Sequence, residues 1–260
     1  MTTMQQDPHA FLLRPQSRVV VVGGCGGIGR AVVAALAART RVAVLDLPAS
    51  IARHPPPAGV KIIACDAADA NSVMAAFGEL QAAWDGLDAF VNLCGFKLET
   101  LKLGDTPPDI WDEGIAGNLR SAYLLSRAAL PLLTRAGGGT MVHVTSGLGS
   151  YGGVGYGPYA VAKGGINTLV RILTREYAPH VRVNAVAPGY VLTAFARGGT
   201  GRSDETAPPH IDAEKYSQQI PLGRAADPSD IVGPILFLLG PASAYVNGQI
   251  LHVNGGGYLP

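Results

Sequence analysis

The sequence predicts one α/β domain built on a doubly wound, Rossmann-type parallel sheet of about seven strands. Short, continuous β-branched runs fit strands buried on both faces, and they alternate with longer stretches that favour helix. A glycine cluster lies between the first such run and the first helical stretch. At 260 residues the chain suits a single large domain, and no linker-like segment breaks the alternation over 18–260.

Residues 1–17 are expected to form a poorly ordered tail. The first strand is Arg18–Val22, followed by the loop Gly23–Gly29 and an Ala-rich helix over 30–39. Arg41–Asp46 is a second buried strand that ends on an acid. A strand is expected near Val60–Ala64, a helix over Asn71–Trp84, a strand over Leu87–Leu93 and a helix over Asp109–Leu133. The series closes with strand Thr140–Thr145, helix Pro158–Ala178, strand Arg182–Ala187, helix Asp227–Leu239 and a strand near Gln249–Val253. Strands alternating with helices in this way imply parallel pairing with helices on both faces. The long interval 194–215 follows a strand's carboxyl end, the edge where open α/β sheets bind ligands, and is expected to act as a substrate lid.

Composition narrows the function. Twenty basic against nineteen acidic side chains give a formal charge of +1, which fits neither a nucleic-acid binder nor a polybasic membrane face. The longest apolar runs are far shorter than a membrane span, and the N-terminus lacks a secretory apolar region. Cys25, Cys65 and Cys94 are odd in number and widely spaced, matching no zinc site or disulfide framework. A reducing cytoplasm and no bound metal are therefore expected.

Two sets of residues carry chemistry. Gly23, Gly27 and Gly29 follow the pattern G-x-x-x-G-x-G between a strand and a helix, where backbone comes close to a pyrophosphate and the helix N-terminus offers free N–H groups. Asp46 ends the next strand, where a carboxylate accepts both hydroxyls of an adenosine ribose and repels a 2′-phosphate. Farther on, Tyr159 and Lys163 are spaced to share a helix face, with Pro158 suited to the opening turn. A Tyr phenol titrates near 10 in water, and a nearby ammonium favours its ionised form. Ser146, at the end of the preceding strand, can donate a hydrogen bond to the same substrate oxygen.

Together these residues make the chain resemble the short-chain dehydrogenase/reductase family, in its roughly 250-residue form, from about Ser17 to Leu259. Val22–Gly29 is similar to the family's T-G-x-x-x-G-x-G loop, with Val22 in place of Thr. Asn92-Leu-Cys-Gly95 is similar to its N-N-A-G strand end, with Leu93 and Cys94 as departures. Tyr159-Ala-Val-Ala-Lys163 matches its active-site motif, and Ser146 lies thirteen residues earlier. Arg182–Gly189 matches the strand and turn beside the nicotinamide, and Asn254 stands where Asp is frequent.

The resemblance implies roles. Tyr159 would be the general acid/base, Lys163 would hold the nicotinamide ribose and lower the Tyr159 pKa, Ser146 would position the substrate oxygen, and Asn118 would keep a water in the proton relay. Gly23, Gly27, Ile28, Gly29, Asp46, Asp66, Asn92, Gly95, Pro188, Gly189, Val191 and Thr193 would bind the cofactor, with Asp66 at the adenine. Phe96, Leu148, Tyr151, Tyr190 and Phe195 would build the substrate pocket. A homotetramer assembled through the helices of Asn118 and Tyr159 is also implied.

The expected activity is interconversion of an uncharged secondary alcohol and its ketone, with NAD as cofactor. Apolar pocket walls favour an uncharged substrate, and Arg197 and Arg202 are expected to be solvated. The competing reading is a non-catalytic dinucleotide sensor, which would need only the loop and Asp46. All three thiols are expected to line or back the cofactor groove. The departures Val22 and Leu93 are expected to pack between or beside each other, because losing two polar partners together can be nearly neutral.

Overall fold

The computed structural model describes residues 12–209 and 211–260. Its seven-stranded sheet is parallel throughout: β1 (Arg18–Val22), β2 (Arg41–Asp46), β3 (Lys61–Ala64), β4 (Ala89–Asn92), β5 (Gly139–Val144), β6 (Val181–Pro188) and β7 (Ile250–Val253). The order is β3-β2-β1-β4-β5-β6-β7, so the winding reverses between β1 and β4 and opens a crevice at their carboxyl ends.

The helices are α1 (Gly27–Ala37), α2 (Pro48–Arg53), α3 (Ala70–Ala83), α4 (Pro108–Ile115), α5 (Ser121–Arg135), α6 (Leu148–Tyr151), α7 (Gly157–Tyr177), α8 (Ala213–Ser217) and α9 (Pro228–Leu239). Alternation along β1 shows why it is apolar at every position. Val20 and Val22 enter the core under α3, α5 and α7, while Val19 and Val21 enter the core under α1 and α9. Both faces are dry, so no polar residue is tolerated on either.

Several elements differ from expectation. The helix expected over 109–133 is α4 and α5 joined by a π-helical turn, Ala116–Arg120, which contains Asn118. Such turns widen a helix locally and are frequent at functional sites. The Asn118 amide donates to the carbonyls of Gly114 and Phe96, both at 3.0 Å. The short α2 and α6 lie in stretches to which the sequence pattern assigns no element. Of the expected tail, residues 1–11 lie outside the described residues. Leu13 packs against the α1/α9 core, and the Gln16 N–H donates to the Arg39 carbonyl at 2.9 Å.

The expected contact between Val22 and Leu93 does not form. Val22 pairs with Asn92 across β1 and β4, so the next residue, Leu93, turns to the opposite face. Val22 is buried in the α3/α5/α7 core and Leu93 packs against the other. Each departure is absorbed by its own apolar layer.

Candidate active site

The β1 loop turns sharply at Gly23, whose φ of 78° favours glycine. A Cβ on Gly29 would collide with the Gly23 carbonyl, so the start of α1 presses directly on the loop. Gly26, at the N-cap of α1, offers no capping side chain, and the first turn holds no acid. Its N–H groups therefore remain available to an anion. Asp46 braces this arrangement: Oδ2 accepts the Cys25 N–H and Oδ1 accepts the Leu47 N–H, both at 2.8 Å. Each carboxylate oxygen keeps a second lone pair.

From Asp46 the crevice runs in two stretches. The narrower, about 110 Å³, is bordered by Asp46, Asp66, Cys65, Phe96, Gly117 and Arg202. The wider, about 340 Å³, is bordered by Ser146, Tyr159, Lys163, Ile28, Val191 and Thr193, with Leu148, Tyr151, Tyr190 and Phe195. Gly23, Gly26 and Gly95 border both. An elongated cleft with an uncapped helix N-terminus at its middle has the dimensions for a dinucleotide, with Asp46 at one end and Tyr159 at the other.

At the wide end, Lys163 is buried and its Nζ donates to the Val144 carbonyl at 3.0 Å. The ammonium lies 5.5 Å from the centroid of the Tyr159 ring. Burial, without a carboxylate to offset it, lowers the Lys163 pKa to about 8. Burial pushes the Tyr159 phenol up, while a hydrogen bond with Ser146 pulls it back. Gly95, with φ 151°, lets the chain pass close to both helices. A Cβ there would lie 2.6 Å from Asn118 Oδ1 and 3.0 Å from Lys163 Nζ.

The family model described as enoyl-(acyl carrier protein) reductase matches residues 23–257. A 2-dehydro-3-deoxy-D-gluconate 5-dehydrogenase from Pseudoalteromonas atlantica is 32% identical, covering 93% of this chain and 96% of that one. A 3-oxoacyl-(acyl-carrier-protein) reductase from Vibrio harveyi is 30% identical over 92% and 96% of the two chains. The chain is a short-chain dehydrogenase/reductase. Among solved structures of this family it is similar to a putative NAD(P)-dependent gluconate 5-dehydrogenase from Beutenbergia cavernae with bound NADP. That match has a TM-score of 0.81 and 31% identity, covering 95% of this chain and 98% of that one.

Not every residue expected at the site of this short-chain dehydrogenase/reductase reaches the cleft. Asn92 is buried, with Nδ2 against His143 Nδ1 at 3.2 Å and Oδ1 accepting the Cys94 N–H at 3.0 Å. It shapes the end of β4 and borders neither stretch. Asn118 is fully buried and acts on the backbone of Phe96, whose N–H donates to Oδ1 at 3.3 Å. Phe96 does not join the substrate side. Its ring fills the space left by Gly117 at the narrow end, under the Arg202 guanidinium at 3.6 Å.

Of the two arginines expected to be solvated, Arg202 is exposed and Arg197 is half-buried, and each has a partner. Arg197 donates to the Ala207 carbonyl, and Arg202 pairs with Glu113 at 2.7 Å. The interval after β6 crosses instead to α2. Ser50 Oγ donates to the Thr200 carbonyl at 3.0 Å, and Arg53 donates to the Ser203 carbonyl at 2.9 Å. Glu205 meets His54 at 3.0 Å and Arg53 at 3.3 Å. Sequence reasoning also missed Lys97, Tyr156 and Tyr216, all of which border the wide stretch. Lys97 stands two residues beyond Gly95, and that position was the available signal.

Cys65 and Cys94 border the narrow stretch, whereas Cys25 is buried in the α1/α9 core. Burial raises the thiols of Cys25 and Cys65 to about 12 and that of Cys94 to about 11. Alkylation needs the thiolate. Modification at pH 7 should therefore be slow for all three, with saturating NAD slowing it further at Cys65 or Cys94. Mass-spectrometric labelling rates checks this, and rapid labelling of Cys25 in the folded protein would contradict it.

Proposed function

We propose that the protein is an NAD-dependent dehydrogenase interconverting a secondary alcohol and its ketone, with Tyr159 as general acid/base. The convergence of Ser146, Tyr159 and Lys163 at one end of a cleft that begins at Asp46 supports this reading. Held by the glycine loop, Asp46 and Lys163, a nicotinamide cofactor would supply hydride acceptance from the carbinol carbon, or hydride donation to the ketone. In the oxidation direction the alcohol gives its O–H proton to the ionised Tyr159 oxygen, and its carbon loses the hydride. Ketone, reduced cofactor and a proton are the products.

Ser146 holds the reacting oxygen by a hydrogen bond. Lys163 supplies positive charge beneath the Tyr159 ring, which offsets the cost of ionising a buried phenol. Asn118 fixes the Phe96 peptide, and through it the strand end that borders the cofactor. The interval 194–215, fastened to α2 through Thr200, Ser203 and Glu205, serves as the lid over this cleft.

NAD is read from Asp46. A 2′-phosphate placed there would meet a carboxylate, while Arg202, the cation at that end, is held by Glu113. Two features extend the reading beyond the site. A groove of about 630 Å³ between α5 and α7, bordered by the half-exposed Tyr123 and Ile172, supports a homotetramer built through these helices. The free thiols support residence in a reducing cytoplasm.

Absorbance at 340 nm across a panel of secondary alcohols and ketones tests the activity. Cofactor binding without turnover on any of them would favour a dinucleotide sensor. For cofactor choice, the unmodified protein should use NAD with the higher kcat/KM, and Asp46→Ala should narrow the NAD/NADP ratio about 10-fold or more, as loss of charge-assisted bonds and of repulsion implies. Equal efficiency with NADP before mutation would reject the NAD assignment.

A further inference from the structure

The wide stretch of the cleft contains a cation that the proton-transfer chemistry does not use. Lys97 is 6% exposed and borders the same cavity as Tyr159. Its Nζ lies 5.4 Å from the centroid of the Tyr156 ring, and among the described residues it has no hydrogen bond or ion pair to a side chain. No Asp or Glu borders this stretch. Burying an ammonium without an anion is costly, and a lone aromatic face recovers only part of that cost. The stem of Lys97 is packed away while its Nζ keeps contact with the open space of the cleft.

The backbone gives Lys97 little freedom to leave. The preceding Phe96 peptide is clamped on both sides by the Asn118 amide. Four residues later Leu101 forms a β-bridge with Tyr156, so the segment is held at both ends beside the start of α7. The ammonium is thus fixed over Tyr156, three residues before Tyr159. Tyr151, Tyr190 and Tyr216 border the same space. The Tyr216 oxygen accepts the Tyr190 N–H at 3.0 Å, leaving its own proton to donate. A cavity with one unpaired cation and several phenolic hydroxyls is built for a hydroxylated anion rather than for the uncharged alcohol that the sequence suggests.

We propose that Lys97 recognises an anionic group of the substrate, a carboxylate, so that the natural substrate is a small hydroxy acid and the product its oxo acid. This rests on the dehydrogenase reading above and adds the substrate class. The anion completes an ion pair beside the phenolic hydroxyls of the cleft, and the charge-assisted hydrogen bonds orient the neighbouring carbinol toward Tyr159. Lys97 is a specificity-determining residue in this scheme and takes no part in proton transfer.

Matched substrates test it with saturating NAD. Aldonates of four to six carbons are compared with the alditols of the same configuration, in which CH2OH replaces the carboxylate, and with the alditol phosphates. The unmodified protein should favour the aldonates. Lys97→Met should lower the aldonate-to-alditol ratio of kcat/KM by about 10–100-fold, mainly through KM, since a uniform binding contact is lost. Lys97→Arg should keep most of the ratio.

A ratio unchanged in Lys97→Met, or equal losses on both classes, would overturn the proposal and leave Lys97 a packing residue. Preference for the phosphates would overturn the carboxylate assignment. Turnover of alditols that Tyr159→Phe abolishes, with Lys97→Met silent, would leave the dehydrogenase reading standing while this one fails. If no substrate turns over, the dehydrogenase reading fails instead. Calorimetric binding of the aldonates to the NADH-saturated protein and to its Lys97→Met variant then decides the present inference, and equal affinities reject it.

Discussion

Replacing Tyr159 by phenylalanine should lower kcat by about 10²–10⁴-fold, the usual contribution of a positioned general acid or base. The ring keeps its packing, including its contact with Phe195 at 5.5 Å between centroids, so stability should change little. Only the phenolic oxygen and its hydrogen bond with Ser146 are removed. NADH binding, followed by fluorescence, should persist because the glycine loop and Asp46 are untouched. Retention of more than about a tenth of wild-type kcat would place the proton transfer elsewhere. A parallel loss of NADH binding would show that Tyr159 supports the cleft rather than the reaction.

Lys163→Met should separate activity from stability. Activity should fall about as steeply as in Tyr159→Phe, since the charge that favours the phenolate is gone. The cofactor-free protein, however, should become more stable near pH 7. Burial holds the Lys163 pKa at about 8, below its ordinary value of 10.5. A depression of that size corresponds to about 3 kcal/mol carried by the folded state at neutral pH. The orphaned Val144 carbonyl returns part of this, leaving a net gain of about 1–2 kcal/mol.

The sign with pH follows from proton counting. Between about pH 8 and 10.5 the unfolded chain holds a proton at this lysine that the folded chain has released. Wild-type stability therefore gains from this residue as pH rises through that window, and the gain is absent in Lys163→Met. The buried thiols act in the opposite sense above pH 9, but they are common to both proteins and cancel in the comparison. Calorimetric unfolding at pH 7, 8.5 and 10 measures the difference. A variant less stable than wild type at pH 7, or a stability difference that does not shrink with pH, would contradict the account.

These effects cost stability at the residues that react, a common relation between site and scaffold. Lys97 and Lys163 are both buried residues at the wide stretch of the cleft, which has no carboxylate among its lining residues. Lys163 has a backbone carbonyl as partner, while Lys97 rests on an aromatic ring.

Features encoded by short-range spacing could be read directly from the residues. β1 had to be apolar throughout because both its faces are covered, and Gly23–Gly29 had to lack side chains because α1 starts against the loop. Tyr159 and Lys163 share a face of α7 through helical periodicity alone. Asp46 could be placed at the end of β2 because the strand pattern stops there. The direction of side chains beyond strand ends depended on partners far along the chain. Phe96 goes to the narrow end because Gly117 leaves room for its ring, and Asn92 turns inward because His143 meets it. Lys97 stays in the cleft because Asn118 and Tyr156 fix the segment around it. Thr200 and Glu205 lie across the cleft because Ser50, Arg53 and His54, some 150 positions earlier, hold them there. Local periodicity specifies which residues share an element's face. Where the chain leaves an element, only the contacts made on folding decide which side chain faces which wall, and the substrate side of this cleft is built almost wholly from such residues.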